Sequence, residues 1–354
     1  MMKHSIQPWG HIPQQAIDVS LITMTNSHGI SISVSNFGCI VTSIIVPDRN
    51  GHCEDIVLGY ETLEQYLNGH PFFGAVAGRY ANRISDGQFQ LDGVKFQLET
   101  NELPTSQHLH GGKQGFDKFV WDYVIEERSE ATYIHFTRLS RDGESGYPGN
   151  LMVTHTIGLD EKNQVHYNFK SVTDAPTVIN LVNHSYYNLA GHNSGSTENQ
   201  ELKLNADFYT PVKTNNIPTG EIKAVVGTYF DFTSSKTIGE NSLQAENKLI
   251  DHNFIINKKV MEDQYALAAE MFDPESGRRM RVLTTQPAFQ FYNGAKLSNK
   301  HWIGKGGYKY ESLSGICLET QHYPDSPNQP HFPSTRLNPN EIFEEKTIHQ
   351  FFIG

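Results

Sequence analysis

The stretch with the clearest chemical potential is residues 315–330, GICLETQHYPDSPNQP. Its short apolar run, residues 316–318, leads to Glu319 and is followed by a proline-rich stretch. A carboxylate at the end of a predicted buried strand is costly unless it is paired or has a chemical role. Three other polar segments supply imidazoles, an amide and a guanidinium, namely GRYANRI (78–84), HLHGG (108–112) and NHSYYNLAG (183–191). Side chains of these types could move protons on a neutral, hydroxyl-rich ligand.

The segment GRYANRI places Asn82 and Arg83 side by side after an apolar run. Arginine keeps its charge and offers several donors, so both residues could bind an oxygen of a ligand. A surface salt bridge of Arg83 is an equally good interpretation of these residues taken alone.

The segment HLHGG would place His108 and His110 on one face if its strand continued, because side chains in a strand repeat every two residues. A His-x-His pair is typical of metal-binding barrels, but the next residues, KQG at 113–115, supply no further ligand. The glycines at 111–112 instead allow close approach of a ligand or of backbone. Either histidine alone could also be an ordinary structural one.

In NHSYYNLAG, His184 ends the β-rich run 178–182, and Tyr186 follows on the same predicted face. Ser185 beside a histidine invites a hydrolase interpretation. However, no Gly-x-Ser-x-Gly elbow surrounds Ser185, and adjacent residues of a strand point to opposite faces. The segment therefore argues against a nucleophilic serine.

Two later segments add polar groups to predicted strands. Asp251 begins the cluster DHNF, where a turn with an Asx hydrogen bond is the simplest interpretation. In PAFQFYNG, residues 287–294, Gln290 and Tyr292 share one face and two phenylalanines the other. That strand could form the floor of a polar pocket, or its polar face could simply be solvated.

The composition excludes several classes of protein. The 354 residues include 28 Lys plus Arg and 39 Asp plus Glu, a formal charge of -11 that disfavours nucleic acid or anionic membranes as partners. Cys39, Cys53 and Cys317 form neither a CxxC pair nor a disulfide framework. With no apolar leader and no run long enough for a membrane span, we expect a cytoplasmic protein.

Apolar and polar residues alternate along much of the chain, so strands are the elements expected to position these residues. ISISVS at 30–35 reads as a half-buried strand, and FQLDGVKFQL at 89–98 reads as a hairpin with an Asp-Gly turn. Helical signals are short, the best being residues 61–67 with Thr62 as a possible cap. Many short strands predict an all-β sandwich, most simply one domain over residues 10–352, with two packed sandwiches as the alternative.

Taken together, six motifs in order give a recognisable pattern. ANRI, LHGG, HSYxNL, DHNF, QFY and ETQHxPD resemble, in order and spacing, the aldose 1-epimerase (galactose mutarotase) family over about residues 20–350. The segments FYTP and IPTG, beginning at residues 208 and 217, are similar to the central part of that family.

This resemblance implies a large antiparallel β-sandwich, a supersandwich with few short helices. It implies interconversion of the α and β anomers of free hexoses such as galactose and glucose, without a metal or an organic cofactor. By motif, Glu319 matches the general base and His184 the general acid. The matches to sugar-binding positions are Asn82, Arg83, His110, Tyr186, Asp251 and Gln290. The chain departs from the family pattern at Asn293, where threonine is expected, and in the lengthened approach to His110, TSQHL.

For this chemistry, Glu319 would remove the proton of the C1 hydroxyl while His184 protonates the ring oxygen O5. His184 must then be protonated while Glu319 is ionised. We therefore expect a raised pKa for His184 beside carboxylates such as Asp251.

Other functions remain open at this point. One is a mutarotase for a disaccharide or a hexose 6-phosphate, although Asp251 would repel a phosphate. Another is a non-catalytic carbohydrate-binding protein, for which a matched acid and base would be superfluous. The expected partner is a small-molecule sugar, with no nucleic acid and no membrane, and the chain is expected to act as a monomer or a homodimer.

Overall fold

The computed structural model describes residues 2–13, 16–258 and 261–354. Within these ranges, the first half of the chain forms strands β1 (Lys3–Ile12), β2 (Ile17–Thr25), β3 (Ser31–Ser35), β4 (Val41–Pro47), β5 (Cys53–Asp55), β6 (Val76–Ala77), β7 (Arg83–Ile84), β8 (Gln88–Leu91), β9 (Val94–Gln97), β10 (His108–Leu109), β11 (Asp122–Glu127), β12 (Ala131–Ser140), β13 (Leu151–Asp160), β14 (Gln164–Thr173), β15 (Thr177–Val178) and β16 (Val182–Asn183).

The second half continues with β17 (Glu201–Leu204), β18 (Phe208–Thr210), β19 (Lys223–Ala224), β20 (Lys236–Thr237), β21 (Asp251–Ile255), β22 (Met261–Glu262), β23 (Tyr265–Phe272), β24 (Arg278–Thr284), β25 (Ala288–Tyr292), β26 (Trp302–Ile303), β27 (Lys309–Tyr310), β28 (Cys317–Gln321), β29 (Arg336–Leu337) and β30 (Phe343–Ile353).

Helices are few and short, as predicted. In the described part of the chain they are α1 (Leu63–Leu67) and α2 (Ile238–Ser242), besides short 3-10 turns such as Ser326–Asn328. Thr62 caps α1 with a complete capping box, because its side chain accepts from the Gln65 N–H while Gln65 reaches back. No helix among the described residues is long and apolar enough to cross a membrane.

Three larger sheets make up most of the described fold. One has ten strands, ordered β11-β12-β13-β14-β30-β24-β23-β17-β20 with β22 beside β23. Another contains β1 to β5 in sequence, and the third is ordered β19-β18-β21-β25-β28. Their neighbouring strands pair antiparallel, as in β13 with β14 and β25 with β28. The predicted Asp-Gly hairpin is confirmed as β8 and β9.

The apolar faces of these sheets meet in one continuous core. The same buried cluster contains Ile22 and Val34 of the β1–β5 sheet, Val153 and Met280 of the ten-stranded sheet, and Phe289 of the third sheet. Alternation explains this, since β13 buries every second residue along much of its length. Sheets packed face to face through such a core form the predicted all-β sandwich.

Strands β21, β25 and β28 lie side by side and carry three of the predicted site residues. Gln290 of β25 lies directly opposite Glu319 of β28. Asp251 begins β21 and lies opposite Tyr292 of β25, so it belongs to a strand and not to a turn. Directly opposed residues of an antiparallel pair are close neighbours, and this register brings amide and carboxylates together.

Candidate active site

The eight predicted site residues line one cavity of about 250 Å³. They come from six separate segments of the chain, which meet only in the folded protein. The cavity contains Asn82, Arg83, His110, His184, Tyr186, Asp251, Gln290 and Glu319, together with Pro71, Phe72, Glu102, Leu109, Tyr292 and Lys296. The lining is thus a mixture of charged, amide and aromatic groups, which suits a small polar ligand.

Glu319 lines this cavity and is 2 % exposed. One carboxyl oxygen, Oε1, lies 3.4 Å from Nε2 of His184. The other, Oε2, is buried and has no hydrogen-bond partner among the described residues. An unsatisfied buried carboxyl oxygen is costly, so this atom is where a donor from a ligand would be most favourable.

His184 follows β16 and is held by its backbone, whose N–H donates to Ala75 O at 2.9 Å. Its two ring nitrogens face two residues of the same strand, β28. Nε2 faces Glu319, and Nδ1 lies 3.6 Å from the sulfur of Cys317. Because Cys317 and Glu319 are two residues apart, their side chains project from the same face of β28. One strand therefore contacts both ends of the imidazole.

The pKa shifts of this pair differ from the sequence-based expectation. Burial lowers the pKa of His184 to about 4, even though its own backbone and Asp251 favour the charged ring. Burial and the neighbouring Asp251 raise the pKa of Glu319 well above its usual value, against the opposing effect of Arg83. The expectation of a raised pKa for His184 was wrong because desolvation penalises the charged imidazole more than nearby carboxylates stabilise it. Burial thus shifts the pKa of both groups toward their neutral forms.

His110 adopts φ 52°, a left-handed backbone conformation, so the strand β10 does not continue through it. The Asn82 N–H donates to Nδ1 of His110 at 3.2 Å, which places the ring hydrogen on Nε2. His110 therefore presents a neutral donor in the cavity. His108 lies outside it, with Nδ1 against Glu99 O and Nε2 against the Tyr147 hydroxyl.

Donor atoms of His110, His184 and Glu319 lie within 4.8 Å of one another, a spacing compatible with a metal ion. The hydrogen bonding of His110 does not suit that use. Its Nδ1 lone pair accepts from Asn82, and its Nε2 carries the hydrogen, so neither nitrogen offers a free lone pair. This set of side chains fits a neutral ligand better than a metal ion.

Arg83 forms an ion pair with Glu102, and this pair is largely buried in the cavity instead of lying on the surface. It donates Nε to Glu102 Oε2 at 2.8 Å and Nη2 to Glu102 Oε1 at 2.6 Å. Despite burial, the hydrogen bond to Glu102 and the nearby acids raise the pKa of Arg83 above its usual value. The other arginine of GRYANRI, Arg79, lies elsewhere and donates to the carbonyls of Pro148 and Gly149.

Asp251 stays ionised although it is buried. Burial opposes the carboxylate, but the charges of Arg83 and Lys296 and a hydrogen bond from Gln290 hold its pKa below the usual value. Gln290 Nε2 donates to Asp251 Oδ1 at 2.8 Å, and Lys296 Nζ lies 3.4 Å from Oδ2. The group can therefore accept hydrogen bonds from a hydroxylated ligand.

Aromatic rings form one wall of the cavity. The Phe72 ring lies 4.6 Å from that of His110 and 5.7 Å from that of His184, measured between centroids. The Tyr186 hydroxyl donates to Pro71 O at 2.9 Å, which ties the wall to the loop before β6. Tyr292 lines the cavity beside Gln290, as their shared strand face predicted.

Several lining residues were not singled out from the sequence, namely Pro71, Phe72, Glu102, Leu109 and Lys296. They lie in loops or at the edges of elements, where no periodic pattern marks them. Asn293, where the chain departs from the family pattern, does not line the cavity. It is fully buried and donates to Lys248 O at 2.6 Å, so its role is to hold the loop before β21.

With this fold and this site, the chain falls within a class of all-β isomerases that act on sugar rings. A profile described as Aldose 1-epimerase matches residues 20–350. The chain belongs to the aldose 1-epimerase family. It is 41% identical to galactose mutarotase of Sus scrofa over 346 residues, 98% of both chains, and 35% identical to aldose 1-epimerase of Escherichia coli (strain K12) over 340 residues, 94% of both.

Solved structures agree with this assignment. A galactose 1-epimerase from Lactobacillus acidophilus NCFM matches with a TM-score of 0.86 and 28% identity, covering 100% of both chains. A GalM/aldose epimerase homologue from C. elegans matches with a TM-score of 0.86 and 26% identity, covering 95% of this chain and 99% of its own.

The contact between Cys317 and His184 leads to a testable prediction. Among the described residues, Cys317 is the only one whose side chain contacts Nδ1 of His184, and replacing it with alanine removes that contact. The kcat for sugar epimerisation should then fall by about two- to tenfold, which corresponds to one net hydrogen bond. Replacing it with serine retains a donor and acceptor and should preserve kcat within about twofold. Steady-state kinetics of the two variants make the comparison. Equal activity of the alanine variant and the wild type would contradict a positioning role.

Proposed function

We propose that this protein is an aldose 1-epimerase that interconverts the α and β anomers of free hexoses, with galactose and glucose as substrates. The observation that carries the proposal is the buried pair of His184 and Glu319, 3.4 Å apart, inside a polar cavity. A general acid and a general base in contact, each shielded from bulk water, are what ring opening of a hemiacetal requires.

The reaction begins with the transfer of one proton between Glu319 and His184. Burial favours the neutral form of both groups, and transfer of a proton from Glu319 to Nε2 of His184 gives the carboxylate and the imidazolium that the reaction uses. A sugar hydroxyl donating to Oε2 of Glu319 favours this state, because hydrogen bonds to a carboxylate stabilise its charged form. Arg83 favours the charged form of Glu319 in the same way.

Ring opening then follows from the two groups acting together. Glu319 removes the proton of the C1 hydroxyl, and His184 protonates O5 as the C1–O5 bond breaks, which gives the open-chain aldehyde. Rotation about C1–C2 exposes the other face of the carbonyl. Reclosure with the roles reversed gives the other anomer and restores both residues. Each positioned acid or base accounts for about 10²–10⁴-fold in rate.

The remaining residues orient the sugar. Asp251 and Gln290 accept and donate hydrogen bonds on one side of the cavity, while the Nε2–H of His110 is a neutral donor on another. Asn82, Arg83 and Tyr186 complete the proposed binding set. Holding the ring in one orientation lowers the entropic cost of the proton transfers.

We place the enzyme in the cytoplasm and treat its continuous core as one domain over residues 10–352. The three cysteines are free thiols, which is in keeping with a reducing compartment. The sugar is the only partner that the proposed reaction requires.

Polarimetry of freshly dissolved α-D-galactose and α-D-glucose tests the proposal. The purified protein should accelerate the approach of optical rotation to equilibrium for one or both sugars, in proportion to its concentration. A chain that binds either sugar but leaves the rate of mutarotation unchanged would instead be a carbohydrate-binding protein, and the proposal would fail.

A further inference from the structure

Two cationic side chains line the cavity, and each already holds a carboxylate. Arg83 donates two parallel hydrogen bonds to Glu102, at 2.8 and 2.6 Å. Lys296 Nζ lies 3.4 Å from Asp251 Oδ2. Among the described residues that line the cavity, there is therefore no cation without an acidic partner.

Glu102 belongs to the loop between β9 and β10, the same loop whose sequence departs from the family pattern. Its backbone pairs with that of Gln107, and the Thr105 hydroxyl donates to its Oε2 at 3.3 Å. Its side chain is 19% exposed, less than that of a free surface acid, and it lines the cavity. The loop thus holds the carboxylate in place against Arg83.

We propose that Glu102 is a specificity-determining residue that restricts the cavity to uncharged aldoses. It occupies the guanidinium fork of Arg83, the group whose geometry best matches a carboxylate or a phosphate. Its own negative charge also opposes any anionic substituent that approaches the fork. The inference rests on the proposed function, because it concerns which sugars reach the His184–Glu319 pair.

The same arrangement leaves Arg83 useful to a neutral sugar. Glu102 takes Nε and Nη2, while Nη1 has no hydrogen-bond partner among the described residues. A hydroxyl oxygen needs only one such donor, whereas a carboxylate or phosphate is bound best by two. Glu102 therefore favours neutral ligands, because it leaves one donor group of Arg83 free and occupies the other two.

The test compares D-galactose with D-galacturonate, which carries a carboxylate, as substrates in polarimetry. In the wild-type enzyme, kcat/KM for galacturonate should be at least about tenfold lower than for galactose, in line with the cost of a like-charge contact. In Glu102→Gln, only one acceptor oxygen is left for Arg83, so one arm of the fork is released and one negative charge is removed. The ratio of kcat/KM for the two sugars should then shift by about tenfold or more toward galacturonate.

Glu99→Gln is the matched control. Glu99 precedes Glu102 by three residues and pairs with Lys113 at 3.6 Å, but it does not line the cavity. This variant should discriminate between the two sugars as the wild type does.

The outcomes separate the two proposals. If the wild type fails to accelerate mutarotation of galactose, the proposed function is wrong. If the wild type is active on galactose and uses galacturonate equally well, Glu102 does not exclude anions, and the inference is overturned whether or not the variant folds. An active Glu102→Gln variant with an unchanged ratio overturns it as well.

Discussion

Replacing Glu319 with glutamine is expected to lower kcat for galactose mutarotation by about 10²–10⁴-fold, the usual contribution of a positioned base. Glutamine has the same shape and can still receive or donate a hydrogen bond, but it cannot take a proton from the C1 hydroxyl. KM should change by less than about threefold, because the other residues of the cavity still hold the sugar. Polarimetry over a range of galactose concentrations separates the two parameters.

Glu345→Gln is a suitable control for the effect of removing a buried carboxyl group. Burial also raises the pKa of Glu345, which accepts a hydrogen bond from Thr285 and lies outside the cavity. Its substitution should leave kcat unchanged. Turnover of Glu319→Gln near the wild-type rate would remove Glu319 from the mechanism.

The second large effect is expected in the dependence of stability on pH. Nine buried or half-buried histidines have a pKa below the usual value, chiefly because burial disfavours the charged ring. For six of them, the pKa falls to about 3 for His155 and His349 and to about 4 for His108, His184, His252 and His322. The pKa of His70 and of His110 lies well below the usual range, and burial also lowers the pKa of His192.

The sign of the effect follows from proton binding. Below pH 6.5 the unfolded chain binds protons at these histidines and the folded chain does not, so their contribution to stability is complete above pH 6.5 and is lost as pH falls toward 4. Burial raises the pKa of four carboxyl groups, which acts in the opposite direction, namely Asp117, Asp325, Glu319 and Glu345. The histidines are the more numerous, and each group that binds one proton more in the unfolded state lowers the free energy of unfolding by about 1.4 kcal/mol per pH unit.

Urea unfolding followed by tryptophan fluorescence between pH 8 and 5 should show this loss. The free energy of unfolding should fall by several kcal/mol over this range, a large share of the about 5–15 kcal/mol of a typical domain. His155→Phe should reduce the slope by about 1.4 kcal/mol per pH unit, since it removes one such group. His155 stacks on Phe169 with ring centroids 4.0 Å apart, so a phenyl ring suits the site.

His52→Gln provides the comparison, because the His52 side chain is 79% exposed. The slope should stay as in the wild type. A free energy of unfolding that is flat from pH 7 to 5 would contradict the prediction.

Local patterns in the sequence were sufficient for much of the fold. The Asp-Gly pair between two alternating runs became the hairpin of β8 and β9, and Thr62 with Gln65 became the cap of α1. Such features depend on residues close together in the chain, whose preferences act before distant segments meet. The six ordered motifs likewise identified eight residues that converge on one cavity.

Contacts between distant segments decided the rest. Glu102 lies 19 residues from Arg83 and enters the cavity from a loop without periodicity, so no local pattern pairs them. The left-handed backbone of His110 turned its ring into the cavity while His108 packed elsewhere.

The sequence by itself determined which side chains can supply acid–base chemistry, because that depends on residue type and on the order of the motifs. Only the tertiary structure decided the direction in which the pKa of each group shifts, since that depends on burial. Desolvation lowers the pKa of His184 and raises that of Glu319, which favours the neutral form of each group over the charged form that residue type alone suggests. Burial results from all the packed segments together, and no single stretch of the chain encodes it.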